Sequence, residues 1–293
     1  MGRSGFPRAP RRLGWSEAQP QRLWRVRGKP LGLHPSLRGT SPGRARAFNA
    51  LLLALITLPA LASPCERPVY LTFDTGHMEV APLIAETLKR HDVKATFFAA
   101  NEKTKVGDGS LGDHWAPWWK ARAAEGHAFA SHTWDHMYWR ADLPGNRFQV
   151  RSSAGPDAGR NQTVTAAQYC EQIQRAADRL QAITGVKTLP LFRAPGGKTS
   201  PAFLAATQAC GWRHVGWAPA GFLGDELPSE TYPNATLLAN ALRDIRSGDI
   251  LLAHLGIWSR KDPWAPAVLD PLITGLKARG FCFATLRDHP AYR

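Results

Sequence analysis

Val69-Tyr-Leu-Thr-Phe-Asp-Thr-Gly76 runs five strand-forming residues straight into a carboxylate, a hydroxyl and a glycine. A short apolar run stopped by turn formers reads as a strand buried on both faces. Six similar runs follow, at residues 95–99, 128–131, 189–193, 214–218, 249–254 and 281–285. Helical patterns lie between them. Residues 79–90 place Leu83, Ile84, Thr87 and Leu88 on one face. Thr165-Ala-Ala-Gln168 is a capping box opening a helix to about Ile183, with Gly185 just past its end. Ser200-Pro201 opens another that stops at Gly211. Strands alternating with helices predict an α/β fold, seven parallel strands in a sheet or barrel with helices packed outside. Two segments break the rhythm. Residues 102–120 carry Trp115, Trp118 and Trp119, and residues 140–164, rich in Gly, Pro and Arg, are expected to form a long polar loop.

The polar residues follow the strand runs at their carboxyl ends. Asp74 follows the first, His132 and His136 the third, and Arg193 ends the fourth; Trp217 closes the fifth and His254 the sixth. In parallel α/β barrels that rim carries the active site. Each residue alone has a plain structural explanation, such as a cap for Asp74. Together they predict one mouth. His132-Thr-Trp-Asp-His136 spaces two imidazoles four apart, on one face if the stretch is helical, which suits a tetrahedral metal ion such as zinc. A zincin protease requires Glu directly after the first His, and Thr133 stands there.

Thr72-Phe-Asp-Thr-Gly76, Ser131-His-Thr-Trp-Asp-His136, Arg193-Ala-Pro195 and Leu251-Leu-Ala-His254 follow one another in an order and spacing that resembles the polysaccharide deacetylase family, the NodB-homology group or family-four carbohydrate esterases. The resemblance covers roughly residues 67–286. It implies a distorted, incomplete (β/α) barrel and removal of N-acetyl groups from an acetylated polysaccharide, some members cleaving O-acetyl esters instead. It further implies that Asp74 is the general base, that His132 and His136 bind a divalent metal ion such as Zn2+, that Arg193 orients and tunes Asp74, and that His254 protonates the departing amine.

The chain departs from that pattern in three places. Thr75 stands where the family has a metal-binding Asp, and a neutral hydroxyl is a poorer ligand than a carboxylate. Asp74, His77 or a water is left to fill the place. Gly196 stands where the third motif has Tyr, keeping the backbone N–H expected to hold the oxyanion but losing the ring. Trp217-Ala-Pro-Ala-Gly221 only loosely matches the fourth motif, so the Asp expected to tune His254 has to come from elsewhere or is absent. Substrate contacts are expected from Gly196, from Trp217 and from Trp134, whose indole flanks the His pair. Most other tryptophans are expected to pack in the core.

The formal net charge of +14 invites a nucleic-acid reading. Residues 1–62, however, hold 11 of the 37 Lys and Arg and one of the 23 Asp and Glu; the remaining residues are close to balanced at +4. That reading therefore rests on the leader alone. Residues 1–48 have no apolar period. The thirteen-residue run 50–62, flanked by Arg44 and Arg46 and ending Ala60-Leu-Ala62, is too short to span a bilayer and reads as a signal peptide cut before Ser63. The leader is longer than such a peptide requires, so the expected translation start lies downstream of Met1. Residues 63–293 then form the deacetylase domain, exported to the periplasm or the extracellular space. Cys65, Cys170, Cys210 and Cys282 contain no Cys-x-x-Cys pair, and three pairings are open. Cys170 and Cys210 lie in successive outer helices, which favours a bridge between them. The expected function is an exported, metal-dependent hydrolase removing N-acetyl groups from a glycan. The rivals are a de-O-acetylase on the same scaffold and a catalytically impaired carbohydrate-binding homologue, the latter motivated by Thr75.

Overall fold

Strand β1, Pro68–Asp74, is buried along six of its seven residues, which places it at the centre of the molecule. It runs parallel to β9 (Ile250–His254), with Tyr70 opposite Ile250 and Asp74 opposite His254. It also runs parallel to β2 (Thr96–Ala99) and, through its first two residues, to β10 (Cys282–Phe283). The sheet continues through β3 (Ala128–Ser131), β7 (Leu191–Phe192) and β8 (Arg213–His214), seven strands in the order β10-β1-β2-β3-β7-β8 with β9 on β1. Every pairing in it is parallel. Strands buried on both faces need continuous apolar sequence, which is why Val69, Leu71, Phe73, Phe97 and Phe98 are fully enclosed. The structure, a computed structural model, describes residues 65–293; the expectations for residues 1–62 and the cleavage before Ser63 lie outside the described residues.

The sheet curls without closing. Between β8 and β9 the chain takes an irregular path, with the Ala218 N–H donating to Ile250 O at 3.1 Å and Phe222 making an isolated parallel bridge to Leu252. This open seam makes the barrel incomplete. Helices α1 (Ala81–Arg90), α2 (Ala116–Ala124), α3 (Ala166–Thr184), α4 (Pro201–Ala209), α5 (Asn234–Asp244) and α6 (Leu269–Ala278) accompany the strands. In α1, Ile84, Thr87 and Leu88 are buried, whereas Leu83, expected beside them, is 41% exposed. The capping box at α3 is complete: Thr165 Oγ1 accepts from the Gln168 N–H, Gln168 Oε1 accepts from the Thr165 N–H, and Gly185 ends the helix at φ 71°. Such a cap stabilises by about 1 kcal/mol.

The expected loop at 140–164 is mostly sheet. Strands β4 (Met137–Leu143), β5 (Arg147–Ser152) and β6 (Asn161–Thr165) form a separate antiparallel sheet. Pro144-Gly145-Asn146 turns β4 into β5, with φ 76° at Gly145 and 54° at Asn146. Along β5, Phe148, Val150 and Ser152 alternate inward. Phe148 packs on Tyr169 of α3 and Phe203 of α4, which gives the hairpin a core of its own. Residues 102–120 are likewise built into the body, since Trp115 and Trp119 are buried with their indole N–H groups donating to Val106 O and Ser110 O.

Disulfides join Cys65 to Cys282 and Cys170 to Cys210, with Cα separations of 5.9 and 6.5 Å that lie within the usual range. The second ties α3 to the end of α4 across 40 residues of sequence. Closing a loop of that length removes disorder from the unfolded chain worth about 2–4 kcal/mol. A Cys170→Ala/Cys210→Ala variant is expected to melt roughly 5–15 °C lower in calorimetry. An unchanged melting temperature would contradict a bridge at this position.

Candidate active site

Arg193 follows β7 and is fully buried, so its charge has to be met inside the protein. Its guanidinium donates to Asp74 Oδ1 at 2.6 Å, to Thr72 Oγ1 at 2.9 Å, and to the carbonyls of Val215 and Gly216 at 3.2 and 3.3 Å. It also lies over the Phe98 ring at 4.2 Å and the Trp217 ring at 5.6 Å. Thr72 is held in turn by donating to Leu251 O at 2.6 Å. Burial alone pushes the Asp74 carboxyl up, but the charges of Arg193, His132 and His254 and the hydrogen bond from Arg193 outweigh it and leave the carboxyl below its ordinary range. Asp74 is therefore an anion with Oδ1 committed to Arg193 and Oδ2 facing His132.

The stretch from His132 to His136 is a tight turn rather than a helix. Thr133 and His136 take positive φ, 62° and 48°, conformations that non-glycine residues adopt only when their surroundings hold them. Here Ser131 Oγ accepts from the Thr133 N–H, Thr133 Oγ1 accepts from the Met137 N–H, and Gln172 of α3 bonds both the backbone and the carboxylate of Asp135. The turn points the two imidazoles at each other, Nε2 to Nε2 at 3.1 Å. The Nδ1 of His132 lies 2.9 Å from Arg193 O; a carbonyl only accepts, so Nδ1 carries the proton and Nε2 keeps its lone pair. Burial, against the charge of Asp74, pushes His132 down to about 4, so it is neutral near pH 7. A tetrahedral zinc ion sets two ligand nitrogens about 3.3 Å apart. The pair fits such an ion in separation, and His132 fits it in tautomer and charge as well. Among the described residues, no three His, Cys, Asp or Glu side chains form a ready cage.

Thr75 is fully occupied elsewhere. Its Oγ1 donates to Glu102 Oε2 at 2.6 Å and accepts the Ala100 N–H at 3.1 Å. His77 is no substitute ligand: its Nδ1 accepts the Glu79 N–H, and its ring packs against Gly256 and Trp258 on the far side of the cleft wall.

His254 ends β9 directly opposite Asp74. Its Nδ1 lies 3.1 and 3.2 Å from the two carboxylate oxygens of Asp225, and its backbone N–H donates to the same carboxylate at 2.6 Å. Burial disfavours the imidazolium, but the charge and hydrogen bond of Asp225, with Asp74 and Glu226 beyond, raise His254 to about 9. Asp225 lies eight residues after Trp217, past Gly221 and Gly224, in a stretch without periodicity.

These groups open into one cleft of about 370 Å³ lined by Asp74, Thr75, Glu102, His132, His136 and His254. Gly196 and Trp217 line it as well. Gly196 and Gly197, at φ 67° and 68°, thread between two rings: a Cβ on the first would meet Tyr138 at 2.9 Å, and one on the second would meet Trp217 at 2.4 Å. Tyr138 thus fills the space beside Gly196. Trp134 does not line the cleft. Its ring packs against the core under the Arg175 guanidinium at 4.2 Å, so the substrate contact expected of it is corrected. The indole at the cleft mouth is that of Trp258, 59% exposed.

Comparison with known proteins places this geometry. Over 258 residues the chain is 25% identical to the peptidoglycan-N-acetylmuramic acid deacetylase of Bacillus subtilis, spanning 88% of this chain and 84% of that one. A family 4 acetyl xylan esterase from Clostridium thermocellum, solved with a cobalt ion, matches with a TM-score of 0.57 at 22% identity, over 76% of this chain and 89% of that one. A CE4 family pseudoenzyme from Bacillus anthracis matches with a TM-score of 0.54 at 20% identity, over 76% and 65%. At these identities the two structures show a shared fold. The sequence of residues 62–215, more than half of the chain, matches the polysaccharide deacetylase family, and the chain belongs to that family.

Proposed function

We propose that this protein is an exported, metal-dependent hydrolase that removes N-acetyl groups from a glycan. The observation that carries the reading is the pairing of Asp74 and His254 across β1 and β9, with ionisations pushed in opposite directions: the carboxyl is held as an anion and the imidazole as a cation. A base and an acid side by side, facing two imidazoles that can hold a cation, are what hydrolysis of an unactivated amide requires. Family membership supports the reaction class, and the two disulfides support an oxidising compartment. Among the described residues no helix is long and apolar enough to cross a membrane.

His132 and His136 would hold the cation, zinc in this reading. When bound, it supplies a Lewis acid for the acetyl carbonyl and makes a nearby water more acidic. Asp74 accepts the proton of the attacking water at Oδ2, because Arg193 occupies Oδ1 and keeps the carboxylate ionised. His254, protonated and held by Asp225 through Nδ1, gives its Nε2 proton to the departing nitrogen. Acetate and a free amine leave. Gly196, Trp217 and Trp258 shape the cleft around the sugar, and an acetylated polysaccharide is the substrate.

Removal of metal by a chelator is expected to abolish acetate release from N-acetylglucosamine oligomers, and added zinc to restore it. Full turnover by exhaustively demetallated protein would refute the mechanism. Release of acetate with a new hydroxyl instead of a new amine would reassign the protein as an esterase.

His254 acts only while protonated, so activity is expected to fall as pH rises through about 9. Asp225→Asn removes the charge that holds the proton. The basic limb of the kcat profile should then move to lower pH while the acidic limb stays in place. A basic limb that does not move would exclude His254 as the acid.

A further inference from the structure

Glu102 is a half-buried carboxylate in the catalytic cleft with no lysine or arginine nitrogen within 4 Å among the described residues, although Lys103 lines the same cleft. Its side chain is 18% exposed, and its one ionic partner within 4 Å among the described residues is His136, with Oε1 at 3.6 Å from Nδ1. The other oxygen, Oε2, accepts the Thr75 hydroxyl at 2.6 Å. The backbone of Glu102 is clamped from both sides by Ser110, whose Oγ accepts the Glu102 N–H at 2.9 Å and whose own N–H donates to Glu102 O at 2.9 Å. The chain thus fixes a carboxylate beside the His136 imidazole, and no lysine or arginine pairs with it among the described residues.

Three facts bear on what that charge is for. Two neutral imidazoles leave a divalent ion with its full charge, and a carboxylate is the donor that offsets it. Asp74 has one oxygen left, because Oδ1 is committed to Arg193; Oδ2, 3.4 Å from Nε2 of His132, is the oxygen that has to take the proton of the attacking water. Thr75 offers no charge either: its hydroxyl is neutral, and it is already tied to Glu102 through its proton and to the Ala100 N–H through one of its two lone pairs. Oε1 of Glu102 faces Nδ1 of His136, on the ring edge away from the facing Nε2 atoms, and the three side-chain torsions of Glu102 can swing it toward them.

We propose that Glu102 is the carboxylate ligand of the cation held by His132 and His136, and that Thr75 is its positioning residue, holding Oε2 so that Oε1 turns to the ion. The assignment rests on the metal-dependent reading above. It leaves Asp74 free as the base and separates charge neutralisation from proton transfer, two tasks that a single carboxylate would have to share.

The test is metal affinity, measured by titrating the demetallated protein with zinc and with cobalt, together with the visible spectrum of the cobalt form. Glu102→Gln keeps the shape and removes the charge; it is expected to weaken binding about 100-fold or more and to change the cobalt spectrum. Thr75→Val removes the positioning hydroxyl and should weaken binding several-fold, and Thr75→Asp placed in the Glu102→Gln background should restore it. His132→Ala should lose the ion altogether. Wild-type affinity in Glu102→Gln overturns the proposal. So does weaker binding with an unaltered cobalt spectrum, because a group that only supports His136 typically changes affinity by about 10–100-fold without entering the coordination sphere. Retention of the ion by His132→Ala also overturns it, by placing the metal elsewhere. Acetate release is scored separately: Glu102-dependent metal binding without deacetylation would sink the functional reading and leave Glu102 as a ligand, whereas deacetylation with Glu102-independent binding would do the reverse.

Discussion

The buried contact between Arg193 and Asp74 is the constraint on which the site depends. A guanidinium with no exposure, in a protein interior, is tolerated only when nearly all of its donors are met, and here a carboxylate, a hydroxyl and two carbonyls meet them. Removing one partner of such a pair typically costs about 3–5 kcal/mol, because the other charge is left stranded. The contact ties the end of β7 to the end of β1 across β2 and β3, which fixes the curl of the sheet where the cleft opens. The same residue also acts through its backbone: Arg193 O accepts the Nδ1–H of His132 and so turns Nε2 of that ring into the cleft. Base and metal-type donor are thereby oriented by one residue, its side chain serving the first and its carbonyl the second.

Around that fixed centre, groups that the family motifs would supply from the strand ends come from other parts of the chain. Thr75 brings no carboxylate, and Glu102, from the chain after β2, stands against its hydroxyl. Gly196 brings no ring, and Tyr138, from β4, occupies the space a side chain there would need. The segment around Trp217 brings no acid, and Asp225 reaches His254 from further along the chain. The antiparallel β4–β6 sheet has a clear part in this. It carries Tyr138 and, one residue after β5, Ser153, whose Oγ lies 2.5 Å from His136 Nδ1. A hairpin packed on Tyr169 and Phe203 is rigid enough to hold both.

The strand ends were legible because burial on both faces forces continuous apolar runs, and a polar residue that closes such a run stands out. Asp74, His132, Arg193 and His254 announce themselves in this way. Length was less legible: β7 and β8 are two residues each, and before β7 Pro190 has no N–H to give to a ladder. The hairpin was hidden by composition. Gly, Pro and Arg suggest a loop, yet Pro144-Gly145-Asn146 followed by the alternation of Phe148 and Val150 is a hairpin signal within them. Spacing misled at His132 and His136, because two left-handed residues in a turn converge imidazoles as well as one helical turn does. Glu102 and Asp225 carried no signal of their own. Each lies in a stretch without period, and only the folded chain brings it to the cleft. Trp134 and Trp258 show the same limit, since proximity in sequence to the His pair says nothing about which indole faces solvent.

The electrostatics of the cleft separate what favours folding from what favours turnover. His254 is raised in the folded state from its ordinary 6.5 to about 9. Its contribution to stability is complete below about 6.5 and is lost as pH rises through 9. Buried His127 and half-buried His214 behave oppositely: desolvation, only partly offset in each case by a nearby carboxylate, lowers both to about 4. The unfolded chain takes up their protons first as pH falls below 6.5, so each weakens the fold between 6.5 and 4. Stability from these groups is therefore greatest near 6.5 and declines in both directions. The catalytic pair requires only that Asp74 be ionised and His254 protonated, and that condition extends to about 9. On the alkaline side, the imidazolium that lends stability to the fold is the proton donor of the reaction, so the loss of one accompanies the loss of the other.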